Sequence, residues 1–458
     1  MMSAGQMLTL SVPPRRPDDT PALAGLPVAI IGAGPVGLAA AAQLLERGIE
    51  SVILEAGDQA GTAIARWGHT RLFSPWRYVV DAAGVRLLEN SPAGWTTPEL
   101  EALPTGADLL KRYVLPLAEA LGSRVRCGCR VSAVSRRGLD RTRSANRAAS
   151  PFLLRVQTDA GSHDVLARAV IDTSGTYTTP NALTASGLDP QHLDEVTHHI
   201  VPALPHVLGA DRHRFAGRHT LVVGAGHSAA NTLLALAELA DTAPGTRVSW
   251  LIRAETPVRV YGADADELAG RASLGARVHA LVTDDRVTLL SRFEIDDVLP
   301  GETPEAPVRV TGLQAGRPAS VEVDVIVTAT GFRPDLSLLR EIRLSLDDIV
   351  EAPQALAPLI DPNLHSCGTV PAHGVDVLAH PEPNFYIAGM KSFGRAPTFL
   401  LATGYEQVRS IADELHGDRA AARLVQLVLP ETGVCCTTPP AASVAPSPAP
   451  AEEGSCCA

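Results

Sequence analysis

Residues 26–57, "LPVAIIGAGPVGLAAAAQLLERGIESVILEAG", decide the fold. An apolar run enters a turn carrying Gly32, Gly34 and Gly37, an Ala/Leu-rich stretch follows, and a second apolar run ends at Glu55. Strand, glycine turn, helix and strand in that order make the opening βαβ unit of a dinucleotide-binding fold. The first glycine allows the tight turn, the second lets backbone approach a pyrophosphate, and the third lets the helix pack on the strand. The helix N-terminus then presents amide donors and a partial positive charge to the phosphates. Glu55 is placed to accept hydrogen bonds from ribose hydroxyls. A glycine triplet alone has a plain competing reading as a glycine-rich turn; triplet, strand, helix and acid together point to a nucleotide site.

The same grammar returns at residues 219–239, "HTLVVGAGHSAANTLLALAEL", with Gly224, Gly226 and Ala229 in the glycine positions and Ser228 before the alanine. The next strand, in "TRVSWLIRAE", ends at Arg253 rather than at an acid. An arginine there suits a 2′-phosphate that a carboxylate would repel, which favours NADPH over NADH. The plainer reading is an arginine facing solvent at a strand end.

Outward from these two units, residues 125–137 ("VRCGCRVSAVSRR") and 151–161 ("PFLLRVQTDAG") alternate like antiparallel strands, joined by an Arg-rich connection. "ARAVIDTSGTY" and "VEVDVIVTATGFRPD" read as buried strands ending at glycine, and residues 383–415 as strand, loop and long helix. A length of 458 residues predicts two to three domains, and 45% apolar against 19% charged residues fits a soluble α/β enzyme. The net charge is −11 and only Lys111 and Lys391 are lysines, so no basic patch matches a row of phosphates and nucleic-acid binding is excluded. The first residues hold Pro13, Pro14 and Pro17 and lack the pattern of a signal peptide, and no apolar run is long enough to span a bilayer. A cytoplasmic, reducing location is expected, with the oligomeric state left open.

Two successive dinucleotide motifs, the second lying between two segments of the first domain, resemble the two-dinucleotide-binding-domain flavoproteins over roughly residues 25–425. The resemblance implies an α/β fold in which residues 25–205 and 320–429 form an FAD-binding Rossmann-like domain. Residues 206–319 then form an inserted Rossmann-like NAD(P)H domain; the composition of residues 1–24 and 430–458, the latter rich in proline and small residues, reads as disordered tails. The resemblance also brings Gly175, Gly331 and Gly389 close to the cofactors. Many members hold the ribityl chain with an Asp after the last of these glycines, where this chain has Met390. The helix expected from about Pro397 would aim its N-terminus at the flavin.

Dithiol reductases of this fold carry a redox cysteine pair beside the flavin. Here no cysteine lies between the first motif and Cys127, or between Cys129 and Cys367. Cys127 and Cys129 read as buried packing residues on a strand, with metal binding the lesser option. The adjacent histidines of "VTHHIVPALPH" read as structural or surface groups rather than a zinc site. "GAGHSA" resembles the G-x-G-x-S-[AG] of flavin-containing monooxygenases, although Leu221 stands where their F-x-G-x-x-x-H signature needs histidine.

A closer resemblance is carried by "WGHTRLFSPWRYVVDAAGVRLLE", "LPTGADLLKRYVLPLAEAL", "FAGRHTLVVGAGHSAANTLL" and "MKSFGRAPTFLLATGYEQVRS". These look like the flavoprotein monooxygenases of bacterial arsenic-resistance clusters, the ArsO type. That resemblance implies an FAD- and NADPH-dependent oxidoreductase using O₂ on a small molecule, a trivalent arsenical being the candidate. It places His69, Arg71, Trp76 and Arg77 near the isoalloxazine, with Trp76 stacking and an arginine countering negative charge; structural packing of the cluster is the competing reading. The closing "ETGVCCTTPPAASVAPSPAPAEEGSCCA" holds Cys435, Cys436, Cys456 and Cys457. Adjacent cysteines close only a strained ring, but thiolate pairs are good ligands for soft ions. As a flexible coil the two pairs would average about 25 Å apart, so they could meet around one metalloid ion; a neutral or redox-buffering tail and intermolecular disulfides are the competing readings. Two alternatives remain: a reductase passing electrons to a quinone or metal ion, and a metalloid-binding protein with a redox-sensing flavin.

Overall fold

The computed structural model describes residues 22–92, 94–261, 269–361, 370–396 and 399–427. Two five-stranded parallel sheets form its frame. The first runs, in spatial order, Phe385–Ile387, Ala169–Asp172, Val28–Ile31, Ser51–Leu54 and Val125–Arg126. Its centre is apolar on both faces, as a covered parallel sheet requires. Val28 and Ile30 pack with the helices Pro35–Glu46 and Leu401–His416. Ala29 and Ile31 turn the other way, onto an antiparallel sheet of Arg130–Arg136, Phe152–Thr158 and Gly161–Ala167.

The second sheet repeats the plan with Thr288–Leu290, Arg247–Leu251, His219–Val223, Val325–Thr328 and Ile200–Pro202. Val222 and Trp250 face the helix His227–Thr242, while Leu221 and Val223 face a second antiparallel sheet, Phe293–Leu299 with Val308–Gln314 and Arg317–Val323. Because the strands Ile200–Pro202 and Val325–Thr328 belong to this sheet, it reaches beyond the 206–319 span read from the sequence at both ends. Short crossing strands carry no motif of their own, so only their pairing reveals them.

Two further expectations are corrected. The stretch 125–137 is not one antiparallel strand: Val125–Arg126 closes the first parallel sheet and Arg130–Arg136 opens the antiparallel one. Gly128, at φ +65, turns the chain between them. The tail expected over 1–24 is also too long, since Leu23 is buried; residues 1–21 and the whole of the tail expected over 430–458 lie outside the described residues. The Arg-rich connection is pinned by its own charge: Arg147 Nη2 donates to Glu382 Oε2 at 2.7 Å, and Arg136 Nε donates to Glu382 Oε1 at 2.8 Å, all three side chains being buried.

Candidate functional site

The turn after Val28–Ile31 is shaped for a ligand that lies against backbone. A Cβ on Gly37 would stand 2.0 Å from Gly32 O, so the helix Pro35–Glu46 sits on the turn as only glycine permits. A Cβ on Gly34 would meet nothing within 4 Å, and no side chain caps the helix that starts there. The first turn of that helix therefore faces open space with free amide donors, the arrangement that accepts a diphosphate. Glu55 stands beside it, its carboxylate accepting the Ala33 N–H at 2.7 Å and the Gly57 N–H at 2.8 Å. Gly175, after the strand Ala169–Asp172, also faces open space, and Gly389 packs against Val36 of the same helix. These residues fit the FAD of the resemblance.

One group at this edge escaped the sequence reading. Lys391 Nζ donates to Asp172 Oδ2 at 2.7 Å and to Ser174 Oγ at 3.0 Å, and both charged side chains are fully buried. The signal was available, because Lys391 is one of two lysines and follows Gly389 by two residues. Its partner lies 219 residues away, which no local pattern discloses.

At the second turn, a Cβ on Gly224 would stand 2.1 Å from Ala329 O, while one on Gly226 would meet nothing. Gly226 begins the helix His227–Thr242, again without a side-chain cap, and Ala229 is buried beneath it. Trp250 donates its indole N–H to Gly224 O at 2.8 Å and holds the turn from below. Ser228 lies in the first turn of that helix. Arg253 is exposed just past the strand Arg247–Leu251 and has no hydrogen-bond or ion-pair partner among the described residues. Gly331, beyond Val325–Thr328, sits against Asn181, whose side chain donates to Thr330 O at 3.1 Å. That contact joins the return strand to the first fold.

The four candidate catalytic residues separate. His69 stacks on His206 with ring centroids 4.4 Å apart, and the pair lines a cleft of about 200 Å³ with Arg71, Leu204, Asn231 and Thr232. Burial, then the charge of His206, lowers the His69 pKa against the opposing pull of the Pro205 carbonyl and Asp211. Arg71 donates to Leu103 O at 2.9 Å and remains at the cleft wall. Trp76 does not offer a stacking face: it is 1% exposed in the core, with the Arg112 guanidinium 5.3 Å from its ring centre. Arg77 is spent on the surface, paired with Glu101. His206, Asn231 and Thr232 were not foreseen, because they come from the second fold and meet His69 only through tertiary packing.

Cys127 and Cys129 are corrected as well. They lie in the turn around Gly128 rather than on a strand, Cys127 exposed and Cys129 partly so. Burial, then Glu55, Cys129 and Asp58, raises the Cys127 thiol pKa, which keeps it protonated and unreactive. His199 has its ring nitrogens 2.7 Å from Asp324 O and 3.0 Å from Pro304 O, a structural role, and the His198 Nε2 lies 2.5 Å from Pro304 O. Among the described residues no group of three or more His, Cys, Asp or Glu side chains is placed to hold a metal. Cys367, Cys435, Cys436, Cys456 and Cys457, and the helix start expected at Pro397, lie outside the described residues; the long helix itself is Leu401–His416. No described helix is long and apolar enough to cross a membrane.

Two parallel-sheet nucleotide folds in one chain, each with an open glycine turn, define a flavin-dependent oxidoreductase that uses a pyridine nucleotide. The chain belongs to the pyridine nucleotide-disulphide oxidoreductase family, which it matches over residues 29–363. No curated protein matches it. Several solved structures share its fold. The bacillithiol disulfide reductase Bdr (YpdA) of Bacillus cereus is 20% identical with a TM-score of 0.61, over 86% of this chain and 99% of that one. DfoA, the cadaverine monooxygenase of desferrioxamine biosynthesis from Erwinia amylovora, is 15% identical with a TM-score of 0.63, over 90% and 99%. A flavin monooxygenase from Stenotrophomonas maltophilia is 22% identical with a TM-score of 0.52, over 86% and 98%.

Proposed function

We propose that this chain is an FAD-dependent, NADPH-using monooxygenase acting on a small molecule. The observation that carries the reading is the spacing of its cysteines: none lies between the first motif and Cys127 or between Cys129 and Cys367, and the described pair stands at the Glu55 end of the first sheet, Cys127 exposed and Cys129 partly so. A bound flavin would then need a diffusible electron acceptor rather than a protein disulfide.

Bound FAD supplies hydride acceptance from NADPH and the reaction of the reduced ring with O₂. The chain's own residues orient these partners. Gly32, Gly34, Gly37 and Glu55 hold the ADP half of FAD, with Gly175 and Gly389 lining its far end. Gly224, Gly226, Ser228 and Ala229 receive the NADPH diphosphate, Arg253 its 2′-phosphate, and Gly331 closes the edge between the folds. The cleft of His69, Arg71 and His206 receives the substrate, and His69, its pKa lowered, accepts a hydrogen bond in its neutral form. The four quoted segments that resemble arsenic-cluster monooxygenases, together with the vicinal cysteines 435–436 and 456–457, support a trivalent arsenical as that substrate.

The test is to purify the yellow protein and follow NADPH and O₂ consumption with arsenite, a trivalent organoarsenical, a diamine, or no addition. One O₂ consumed per NADPH, an oxygenated product and one water are expected with the arsenical. Equal NADPH oxidation without substrate and no oxygenated product would refute oxygenation and favour the reductase.

A further inference from the structure

The cleft at His69 holds a cation and hydrogen-bond donors with no acid among them. Its charged and titratable lining is Arg71, His69 and His206, joined by Thr70, Asn231 and Thr232, and the remaining lining residues are apolar. No described Asp or Glu lines it, in a chain that carries 50 of them and a net charge of −11. Two acids that act on these groups are engaged elsewhere: Asp211 accepts the His206 N–H at 2.8 Å, and Asp108 accepts the Thr105 N–H at 2.9 Å. Arg71 gives one N–H to Leu103 O at 2.9 Å; a guanidinium has five, and the other four have no partner among the described residues. Asn231 gives one amide N–H to His227 O at 3.0 Å and keeps a second. His69, Arg71 and His206 are all exposed, so a ligand can reach them.

The segment that supplies His206 is bent against its own preference to bring the ring there. Leu204 takes φ +60, a left-handed conformation that leucine avoids, directly before Pro205. The His206 ring then rests on Gly209, where a Cβ would stand 2.3 Å from Cε1, and stacks on His69 with the two planes 8° apart. Its carbonyl accepts the Gly209 N–H at 2.9 Å and the Asp211 N–H at 3.1 Å. Backbone strain of this kind persists only where the surrounding structure holds it, and it collects at ligand sites. The second fold therefore presents a wall built in advance opposite Arg71.

We propose that the cleft is an oxyanion subsite. It takes a small molecule that carries, or acquires on oxygenation, a carboxylate, phosphate or arsenate group, with Arg71 and Asn231 donating to its oxygens beside the imidazole stack. A guanidinium suits such a group because its planar fork gives two charge-assisted bonds at once. A cationic amine meets no carboxylate there, which sets this cleft apart from one built for a diamine. The oxygenated form of a trivalent arsenical is itself an oxyanion, so the same donors would hold that product. The inference deepens the substrate reading of this cleft and rests on it.

Inorganic phosphate and arsenate, at constant ionic strength, are the probes, used on the flavin-loaded full chain. Either anion should slow carbethoxylation of His69 and His206 by diethyl pyrocarbonate, read by peptide mass spectrometry, and leave the exposed His163 unaffected. Tetramethylammonium, a cation the reagent does not attack, should protect neither. Arg71→Gln, at an exposed position, should raise the half-protecting phosphate concentration about 10- to 100-fold, the loss of one charge-assisted bond. Arg253→Gln should leave that concentration within threefold of the parent. Failure of both anions to protect the two histidines in the unaltered chain, equal protection by the cation, or an Arg71→Gln value within threefold of the parent overturns the proposal. Arg253→Gln weakening protection as much as Arg71→Gln would give the anion to the nucleotide's phosphate site and overturn it as well. Protection by the anions with no oxygenated product in the turnover assay leaves the subsite standing and refutes the monooxygenase reading instead.

Discussion

Gly34 and Gly37 belong to one motif and lie three positions apart, yet replacing each by alanine should have opposite effects. Gly34 has φ −75 and ψ 178, a conformation any residue adopts, and a Cβ there would touch nothing within 4 Å. The chain-entropy gain of Gly→Ala, about 0.4–1 kcal/mol, roughly cancels the poorer helix cap, so flavin-free Gly34→Ala should keep its stability within about 1 kcal/mol. The added methyl would occupy the space through which the diphosphate reaches backbone amides. Losing two such charge-assisted bonds at about 1.5–3 kcal/mol each weakens FAD binding by at least about 100-fold. Gly37→Ala instead drives a methyl to 2.0 Å from Gly32 O and 2.7 Å from Thr173 Oγ1. Helix and turn must separate, an overpacking cost of about 1–3 kcal/mol or more borne by the flavin-free protein. Thermal unfolding of both flavin-free variants, with FAD titration by flavin fluorescence, tests this. Gly34→Ala with FAD affinity within threefold of the parent, or Gly37→Ala with unchanged melting, would refute the reasoning.

Three further outcomes are expected. Arg253→Gln should lower kcat/KM for NADPH by roughly tenfold and leave that for NADH unchanged, a modest effect because the arginine is exposed, measured by steady-state kinetics with both nucleotides. Glu382→Ala would leave Arg136 and Arg147 buried without their counter-ion, and urea unfolding should show a loss of about 3–5 kcal/mol. His380 is half-buried, its Nδ1 accepting the Ser345 N–H at 3.3 Å, and the loss of solvent around the ring drives its pKa down to about 4. Its folded pKa lies below its unfolded one, so only the unfolded chain takes up this proton between pH 6.5 and 4. Stability should therefore fall across that window by roughly 3 kcal/mol at its lower end. His380→Asn should remove that portion of the slope, and an NMR midpoint near 6.5 would contradict it.

The two nucleotide folds were legible in the sequence because a βαβ unit is a local object. Gly32, Gly34, Gly37 and Glu55 lie within 24 consecutive positions, and both strands announce their double-sided burial as unbroken apolar runs. The sequence by itself determined the fold class, the two glycine turns and the spacing of the cysteines. Tertiary structure alone decided the rest. It set Ile200–Pro202 beside Val325–Thr328, joined Lys391 to Asp172 across 219 residues, and stacked His69 on His206. It also moved Trp76 from the expected flavin face into the core and brought Cys127 out to the surface. Periodicity records which face of an element is covered but carries no information about which distant side chain covers it. The buried ion pairs and the cleft lined by His69 and His206 are made of such distant contacts.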